Sequence, residues 1–380
     1  MKNLFTRSRL YCPGPTPVGA EATAALLNTN VYHRTEDFNG VIQRCRRGLQ
    51  PFFGTRQLPV ILTASGTGAM EAAVSNLTNT GDQVLCVVAG KFGERWQTMT
   101  EAFGCQVDVV NAAPGHAPSP SDIAAILRNK KYHALFMQAN ETSTGVFLPV
   151  REICAEIRQT GFAGLIVVDA ISALAAHRID MDEWGIDALL SGSQKGFGVP
   201  PGLAFIAVSD RAKNSFSKRP RFYFDLPREM KNQDEGQTAW TPATGLLLAL
   251  DAALAKMLAF GPESVFTHHA TLAHATRVSM QALGLELFAP QNPSNALTSV
   301  KVPSSIDGKK LIAQMREADG VIFAGGQDQL KGKIIRMSHL GFVDRLDVVS
   351  GIASLEWGLE RAGYDFDIGS GVKACLAALI

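Results

Sequence analysis

The sequence has no cysteine spacing suited to a metal site or a disulfide framework. Its six cysteines stand at positions 12, 45, 86, 105, 154 and 375. Cys86 and Cys154 fall in apolar patterns, where a free thiol packs as a small hydrophobe. The expectation is a reduced, cytoplasmic protein with no metal. Strong charge is lacking as well. The formal net charge is +1 and 19% of residues are charged, so no field gathers nucleic acid or an anionic membrane surface. The densest basic run is RCRRG, Arg44–Gly48. The opening MKNLFTRSRLYCPGP carries basic residues without the apolar core of a secretory signal. The richest apolar run, Leu246–Phe260, contains Asp251 and Lys256 and is too short to span a bilayer. It reads as a buried helix. No repeat or low-complexity segment interrupts the chain.

What the sequence does have is length and apolar rhythm. With 380 residues, 46% of them apolar, it exceeds what one core serves, so one large domain and a smaller one are expected. Strand-like runs at 59–64, 83–90, 106–112, 134–140, 164–170, 188–193 and 203–209 alternate with helical patterns at Gly68–Asn76, Phe92–Phe103, Pro120–Lys130 and Val150–Gln159. The runs are continuously apolar rather than alternating, which predicts strands covered on both faces by those helices. A mostly parallel, seven-stranded α/β sheet follows. Beyond it the pattern predicts helices over Thr244–Phe260, Glu263–Leu283, Asp307–Ala318 and Asp344–Ala362, with strands at 296–303, 321–325 and 333–339. The division expected is an N-terminal arm (1–20), a large α/β domain (21–245) and a small α+β domain (246–380).

Four features fall where open α/β sheets gather ligands, at the carboxyl ends of strands. In TASGTGAMEAA, Thr63–Ala73, a Ser-Gly-Thr-Gly turn opens a helix; its backbone N–H groups and the Thr67 hydroxyl suit a phosphate, although many strand-to-helix turns are equally rich in Gly and Ser. Asp169 closes the apolar run GLIVVDA, a place for a desolvated carboxylate, a helix cap or a salt bridge. Lys195 lies in LLSGSQKGFGVPPG, among small residues and with no carboxylate in the ten positions after it. A lysine in such a turn is a surface residue or an amine made nucleophilic by burial. Arg336, between Ile335 and Met337, points away from their face and suits a carboxylate or a structural ion pair. Phosphate cradle, strand-end Asp, strand-end Lys and distant Arg together match a cofactor with a phosphate, a ring nitrogen and an aldehyde. Pyridoxal 5'-phosphate is such a cofactor.

The stretch Val168–Gly202, VDAISALAAHRIDMDEWGIDALLSGSQKGFGVPPG, resembles the lysine signature of the class V, fold type I pyridoxal-phosphate aminotransferases, most closely the alanine/serine–glyoxylate branch. The likeness extends from CPGPTPV (Cys12–Val18) to RMSHLG (Arg336–Gly341). It implies that Lys195 is the Schiff-base lysine with Gln194 beside it at the cofactor, that Asp169 partners the ring nitrogen, and that Ile171 packs under the ring. It further implies Thr67, Gly68 and Ala69 as phosphate loop and Thr142, in NETSTG, as the contact to the ring hydroxyl. Phe92, in GKFGERW, stands where the family often stacks a Trp. Arg336 matches the arginine for the substrate carboxylate. Thr241 resembles a residue that reaches the neighbouring subunit's phosphate, which implies a homodimer with shared active sites, and Thr238, a further implied cofactor contact, aligns with a position that is Tyr in some relatives.

The implied activity is transfer of an amino group from alanine, serine or a similar small amino acid to glyoxylate or pyruvate, with aspartate as donor left open. A cysteine desulfurase needs a reactive Cys before the carboxylate-binding arginine, and GGQDQLKGKIIR (Gly325–Arg336) has none. A 2-aminoethylphosphonate-type transaminase shares the layout. A non-catalytic scaffold or regulatory relative would be expected to have lost the lysine or the aspartate first, and both are present.

Overall fold

A computed structural model describes residues 6–28 and 30–380. The chain begins with strand β1 (Arg9–Tyr11), helix α1 (Ala20–Ala25) and helix α2 (Glu36–Phe53). Next come β2 (Val60–Thr63), α3 (Gly66–Leu77), β3 (Gln83–Val88), α4 (Lys91–Ala102), β4 (Gln106–Asn111), α5 (Pro120–Asn129) and β5 (Ala134–Gln138). A short hairpin, β6 (Asn140–Glu141) and β7 (Val146–Phe147), precedes α6 (Val150–Gln159), β8 (Leu165–Asp169), α7 (Met181–Trp184), β9 (Ala188–Gly192) and β10 (Leu203–Val208). The helices α8 (Asp210–Lys213), α9 (Leu226–Asp234), α10 (Thr244–Phe260) and α11 (Pro262–Ala282) follow. The chain closes with β11 (Leu297–Lys301), α12 (Gly308–Ala318), β12 (Val321–Gly325), β13 (Ile334–Ser338), α13 (Arg345–Arg361) and α14 (Ser370–Leu379).

All seven apolar runs expected as strands form one sheet in the order β2-β10-β9-β8-β5-β3-β4. It is parallel throughout except for β10, which runs antiparallel to both β2 and β9. β5, β8, β9 and β10 are buried along their whole length, as expected where helices cover both faces. Two apolar clusters result. One holds Leu85, Val87, Ile166, Val168 and Phe205, and the other Val84, Cys86, Phe136, Val167 and Ile206.

α2 has no counterpart among the expected helices. Its stripe Phe38, Val41, Ile42, Cys45, Leu49 and Phe52 is buried, the helical i, i+3, i+4, i+7 spacing, but Gly40, Gly48 and Pro51 lower its intrinsic helix preference. The Thr35 hydroxyl accepts from Phe38 N at 3.3 Å at the start, and Glu36 and Asp37 occupy the first turn, where acidic groups suit the helix dipole. Gly48 has a packing role. A Cβ there would stand 3.2 Å from Leu254 Cδ1 of α10, so its absence lets the two helices close.

The run 246–260, expected in the C-terminal unit, therefore contributes Leu247, Leu250 and Leu254 to the core of the larger sheet. α11, bent 88° from α10, begins in that core with Val265 and Phe266 and ends in a third cluster with Leu272, Ala275 and Met280. No single helix among the described residues is long and apolar enough to cross a membrane.

A second sheet runs β1-β12-β13-β11. β1, read from sequence as part of an arm, pairs in parallel with β12 through Arg9–Val321, Leu10–Ile322 and Tyr11–Phe323. The chain then crosses to the main sheet, where Thr16 N donates to Gln194 O at 3.2 Å and the Thr16 hydroxyl to Lys195 O at 2.9 Å. One strap therefore ties the sheet carrying Arg336 to the turn carrying Lys195. All six cysteines are free.

Gly54 caps α2 at φ 57° in the left-handed region, and a Cβ there would run into the backbone of Ile179 and Asp180. Gly54→Ala is expected to cost more than ~1 kcal/mol, measured as a lower urea midpoint at unchanged slope.

Candidate active site

The carboxyl ends of β2, β5, β8 and β9 open on a cavity of about 120 Å³ lined by Ser65, Gly66, Thr67, Phe92, Arg95, Asn140, Thr142, Asp169, Ile171, Ser172, Gln194 and Lys195. Parallel strands all present their ends on one side, so short loops after separate strands meet there.

Lys195 sits in the tight turn between β9 and β10. Its Nζ donates to Pro13 O on the N-terminal strap, and among the described residues it has no ion pair. A Cβ on Gly14 would collide with that amine, so glycine leaves it room. Desolvation in the cavity lowers the lysine pKa to about 8, opposed by the charge of Asp169. Asp169, at the last position of β8, is 5% exposed. Burial raises its pKa to about 7, only partly offset by the 2.7 Å bond it accepts from Ile171 N. It caps no helix and pairs with no cation within 4 Å among the described residues. The two groups are thus drawn toward neutrality from opposite directions, a pattern concentrated at functional sites.

Of the three residues expected at the phosphate, Thr67 lines the cavity, whereas Gly68 and Ala69 do not. α3 starts at Gly66 rather than Gly68, so Ser65, Gly66 and Thr67 line the cavity. Gly68 N folds back to Ser65 O at 2.8 Å, and Ala69 is fully buried beneath the turn. The Ser65 side chain makes no capping bond, which leaves the first amides of the helix facing the cavity.

Arg336 comes from β13 of the other sheet. Ile335 and Met337 point into the third core, and the guanidinium turns the opposite way. Nη1 donates to Thr142 O at 2.6 Å, while Nε and Nη2 reach Gly325 O at 3.0 and 2.6 Å. It is 5% exposed and, among the described residues, has no carboxylate within 4 Å. The structural ion pair is therefore not what holds it. Burial lowers its pKa to about 10.

Thr238 and Thr241 stand apart. They line a separate small pocket with Tyr223, Glu229 and Trp240, and the Thr238 hydroxyl donates to Trp240 O at 2.6 Å. Sequence reasoning missed Arg95, whose Nη1 donates to the Thr67 hydroxyl at 3.1 Å and whose guanidinium lies 5.0 Å from the Phe92 ring centre. The signal was available: Arg95 follows Phe92 by three, the spacing of one helix face. It also missed Asn140 and Ser172, joined at 2.8 Å, with Ser172 meeting the Thr142 hydroxyl at 2.6 Å.

Comparison with known proteins decides the family, since the profile described as Aminotransferase class-V matches residues 20–374. The chain belongs to that family. Its relatives support the alanine/serine–glyoxylate branch. The soluble hydrogenase 42 kDa subunit of Anabaena cylindrica is 39% identical, covering 96% of this chain and 97% of that one. The serine–glyoxylate aminotransferase of Methylorubrum extorquens is 32% identical, over 98% and 96%. Among solved structures, the subgroup IV aspartate aminotransferase of Thermus thermophilus is 34% identical with TM-score 0.88, over 93% of this chain and 100% of that one. The fold is that of the fold type I enzymes, and the cofactor of this class V aminotransferase is pyridoxal phosphate.

The cavity's chemistry fits that group. It offers free amides, a hydroxyl and Arg95 for a phosphate, a buried carboxylate for a ring nitrogen, and an amine for an aldehyde. Gln194 Oε1 and Asn140 Oδ1 are buried in its wall without partners among the described residues, acceptors that a bound polar group satisfies.

Two outcomes follow from the titrations. Asp169→Asn keeps the bond from Ile171 N and removes a buried charge. Because the folded-state pKa of Asp169 is raised, the wild-type apo-protein loses stability relative to this variant as pH rises from about 4 through about 7. Apo-protein melting curves at pH 5 and pH 8 are expected to show the variant's advantage growing, while its transaminase rate falls roughly 10²–10⁴-fold. Separately, the apo-protein is expected to take up pyridoxal phosphate at a rate that climbs as Lys195 loses its proton, half-maximal near pH 8. Stopped-flow absorbance that is still rising at the pH of an ordinary lysine would contradict this.

Proposed function

We propose that this class V aminotransferase moves the amino group of alanine, serine or a similar small amino acid to glyoxylate or pyruvate, as a cytoplasmic homodimer. The observation that carries the reading is Lys195 and Asp169 sharing one desolvated cavity, with Arg336 bonded to the carbonyl of Thr142 in its wall and, among the described residues, without a carboxylate within 4 Å. The bound cofactor supplies an electron sink for the charge that develops at the substrate Cα. Lys195 Nζ takes the proton from that Cα and returns one on the product side; an amine with a pKa near 8 suits both directions. Asp169 holds the proton on the ring nitrogen. Arg336 fixes the substrate through its carboxylate.

In this reading Phe92 and Ile171 bracket the ring and exclude water, Thr142 and Gln194 bind its polar edge, and Ser65, Gly66 and Thr67 with Arg95 hold the phosphate, the turn of Gly68 and Ala69 packing behind them. Thr241 acts on the neighbouring subunit's cofactor; with Thr238 it lines a pocket separate from the cavity of its own chain, which supports that role. A second reading, aspartate as donor, is supported by the 34% identity to the subgroup IV aspartate aminotransferase of Thermus thermophilus.

The test is the visible spectrum of the purified protein as amino donors and then glyoxylate are added. A cofactor band that bleaches with L-alanine or L-serine and returns with glyoxylate is expected. Bleaching by L-aspartate alone selects the second reading, and by 2-aminoethylphosphonate alone the phosphonate class. A protein that stays colourless with added pyridoxal phosphate overturns the role of Lys195.

A further inference from the structure

Glu141 was not singled out by any motif, yet it is the most heavily bonded carboxylate beside the cavity. It is 0% exposed. Oε2 accepts from Phe92 N at 3.1 Å, Gly93 N at 3.2 Å and Gln138 Nε2 at 3.0 Å. Oε1 accepts from Ser143 N at 3.1 Å and from the Ser143 hydroxyl at 2.5 Å. Ser143 Oγ in turn accepts from Lys91 N at 3.1 Å. The first three amides of α4 are therefore capped by a loop about fifty positions further along the chain, because the local N-cap, Gly90, has no side chain to offer. An anion at that helix end is favoured by the dipole.

Two glycines clear the way. A Cβ on Gly90 would lie 2.7 Å from Glu141 Cδ, and one on Gly93 would lie 2.9 Å from Gln138 Nε2 and 2.7 Å from Val87 O. Every group facing the carboxylate is a donor. A carboxamide has one acceptor oxygen and would set its NH₂ against donors on the other side. The position therefore demands an acid with both oxygens accepting.

The consequences run in two directions. Through α4, Glu141 fixes where Phe92 and Arg95 enter the cavity. Through the next residue, it fixes the Thr142 carbonyl that receives Arg336 Nη1 and the Thr142 hydroxyl that meets Ser172. Among the described residues Arg336 has no ion pair of its own, and the charge of Glu141 supports its cationic form.

We propose that Glu141 is a positioning residue that sets the ring-facing side chain Phe92 and the substrate-facing guanidinium of Arg336 together, so that cofactor affinity and substrate KM depend on the same buried carboxylate. The substrate half of this rests on the function proposed above; the cofactor half rests only on the placement of Phe92 against the ring given there and not on the substrate.

The experiment is Glu141→Gln in the full chain, with apo-protein titrated with pyridoxal phosphate by absorbance and the loaded enzyme then assayed with the donor that bleaches the wild-type protein. The expected result is a cofactor Kd raised at least 10-fold and a donor KM raised at least 10-fold, with kcat changed less than KM. A folded variant, unchanged in circular dichroism and gel filtration, that keeps the wild-type Kd and KM overturns the proposal. A raised Kd in a protein for which no donor is found upholds the cofactor half and tells against the function instead. If Glu141→Gln does not fold, Ser143→Ala leaves the carboxylate and removes one of its donors. A Kd raised about threefold supports the role, and an unchanged Kd overturns it.

Discussion

The cost of holding an amine and a carboxylate out of water governs this structure. Asp169 and Lys195 stand at or just beyond the ends of neighbouring strands, and burial pushes the acid up to about 7 and the amine down to about 8. Among the described residues neither has an oppositely charged group within 4 Å; Lys195 meets only a carbonyl and Asp169 only an amide. A fold optimised for its own stability would neutralise or replace such groups. Keeping them requires a scaffold that over-determines their positions. The fully buried strands β8 and β9, hydrogen-bonded from Val167–Ala188 to Asp169–Leu190, provide it.

The second sheet completes the site from outside. Arg336 belongs to β13, whose inward face joins the core that also holds Ile352 and Leu355 of α13 and Cys375 of α14, and its guanidinium crosses to the Thr142 carbonyl. The N-terminal strap does the reverse. It begins as a strand of the smaller sheet and ends hydrogen-bonded to the backbone of Gln194 and Lys195. Any shift between the two sheets therefore moves the carboxylate-binding group relative to the amine, and the strap and the Arg336–Thr142 bond both resist it. α11 adds a third tie by entering both cores.

Much of this was legible in residue order. The seven strands were visible because double-sided burial leaves continuous apolar runs, and Thr67, Asp169 and Lys195 were visible because each ends or follows such a run. α2 was not, since Gly40, Gly48 and Pro51 mask an otherwise regular apolar stripe, and the reason for Gly48 lies in Leu254 about two hundred residues away. β1 was not, since three residues carry no period and its partner is β12. α14 was missed as well, although at ten residues it is as long as α5 and α6 and its Val372, Cys375, Leu376 and Leu379 keep helical spacing. Among site residues, Arg95 was within reach of helical spacing, whereas Glu141 and Ser172 had no local signal.

By itself the sequence determined the elements whose cause is local: the buried strands, the small-residue turn around Lys195, and the acid that closes β8. Patterning and turn chemistry act over a few residues and are written in order. Only the tertiary structure decided which groups meet. Arg336 on Thr142, Pro13 on Lys195, and Glu141 beneath the first turn of α4 are contacts between segments tens to hundreds of positions apart. Their existence depends on how two sheets and one strap pack, and no short-range pattern encodes that.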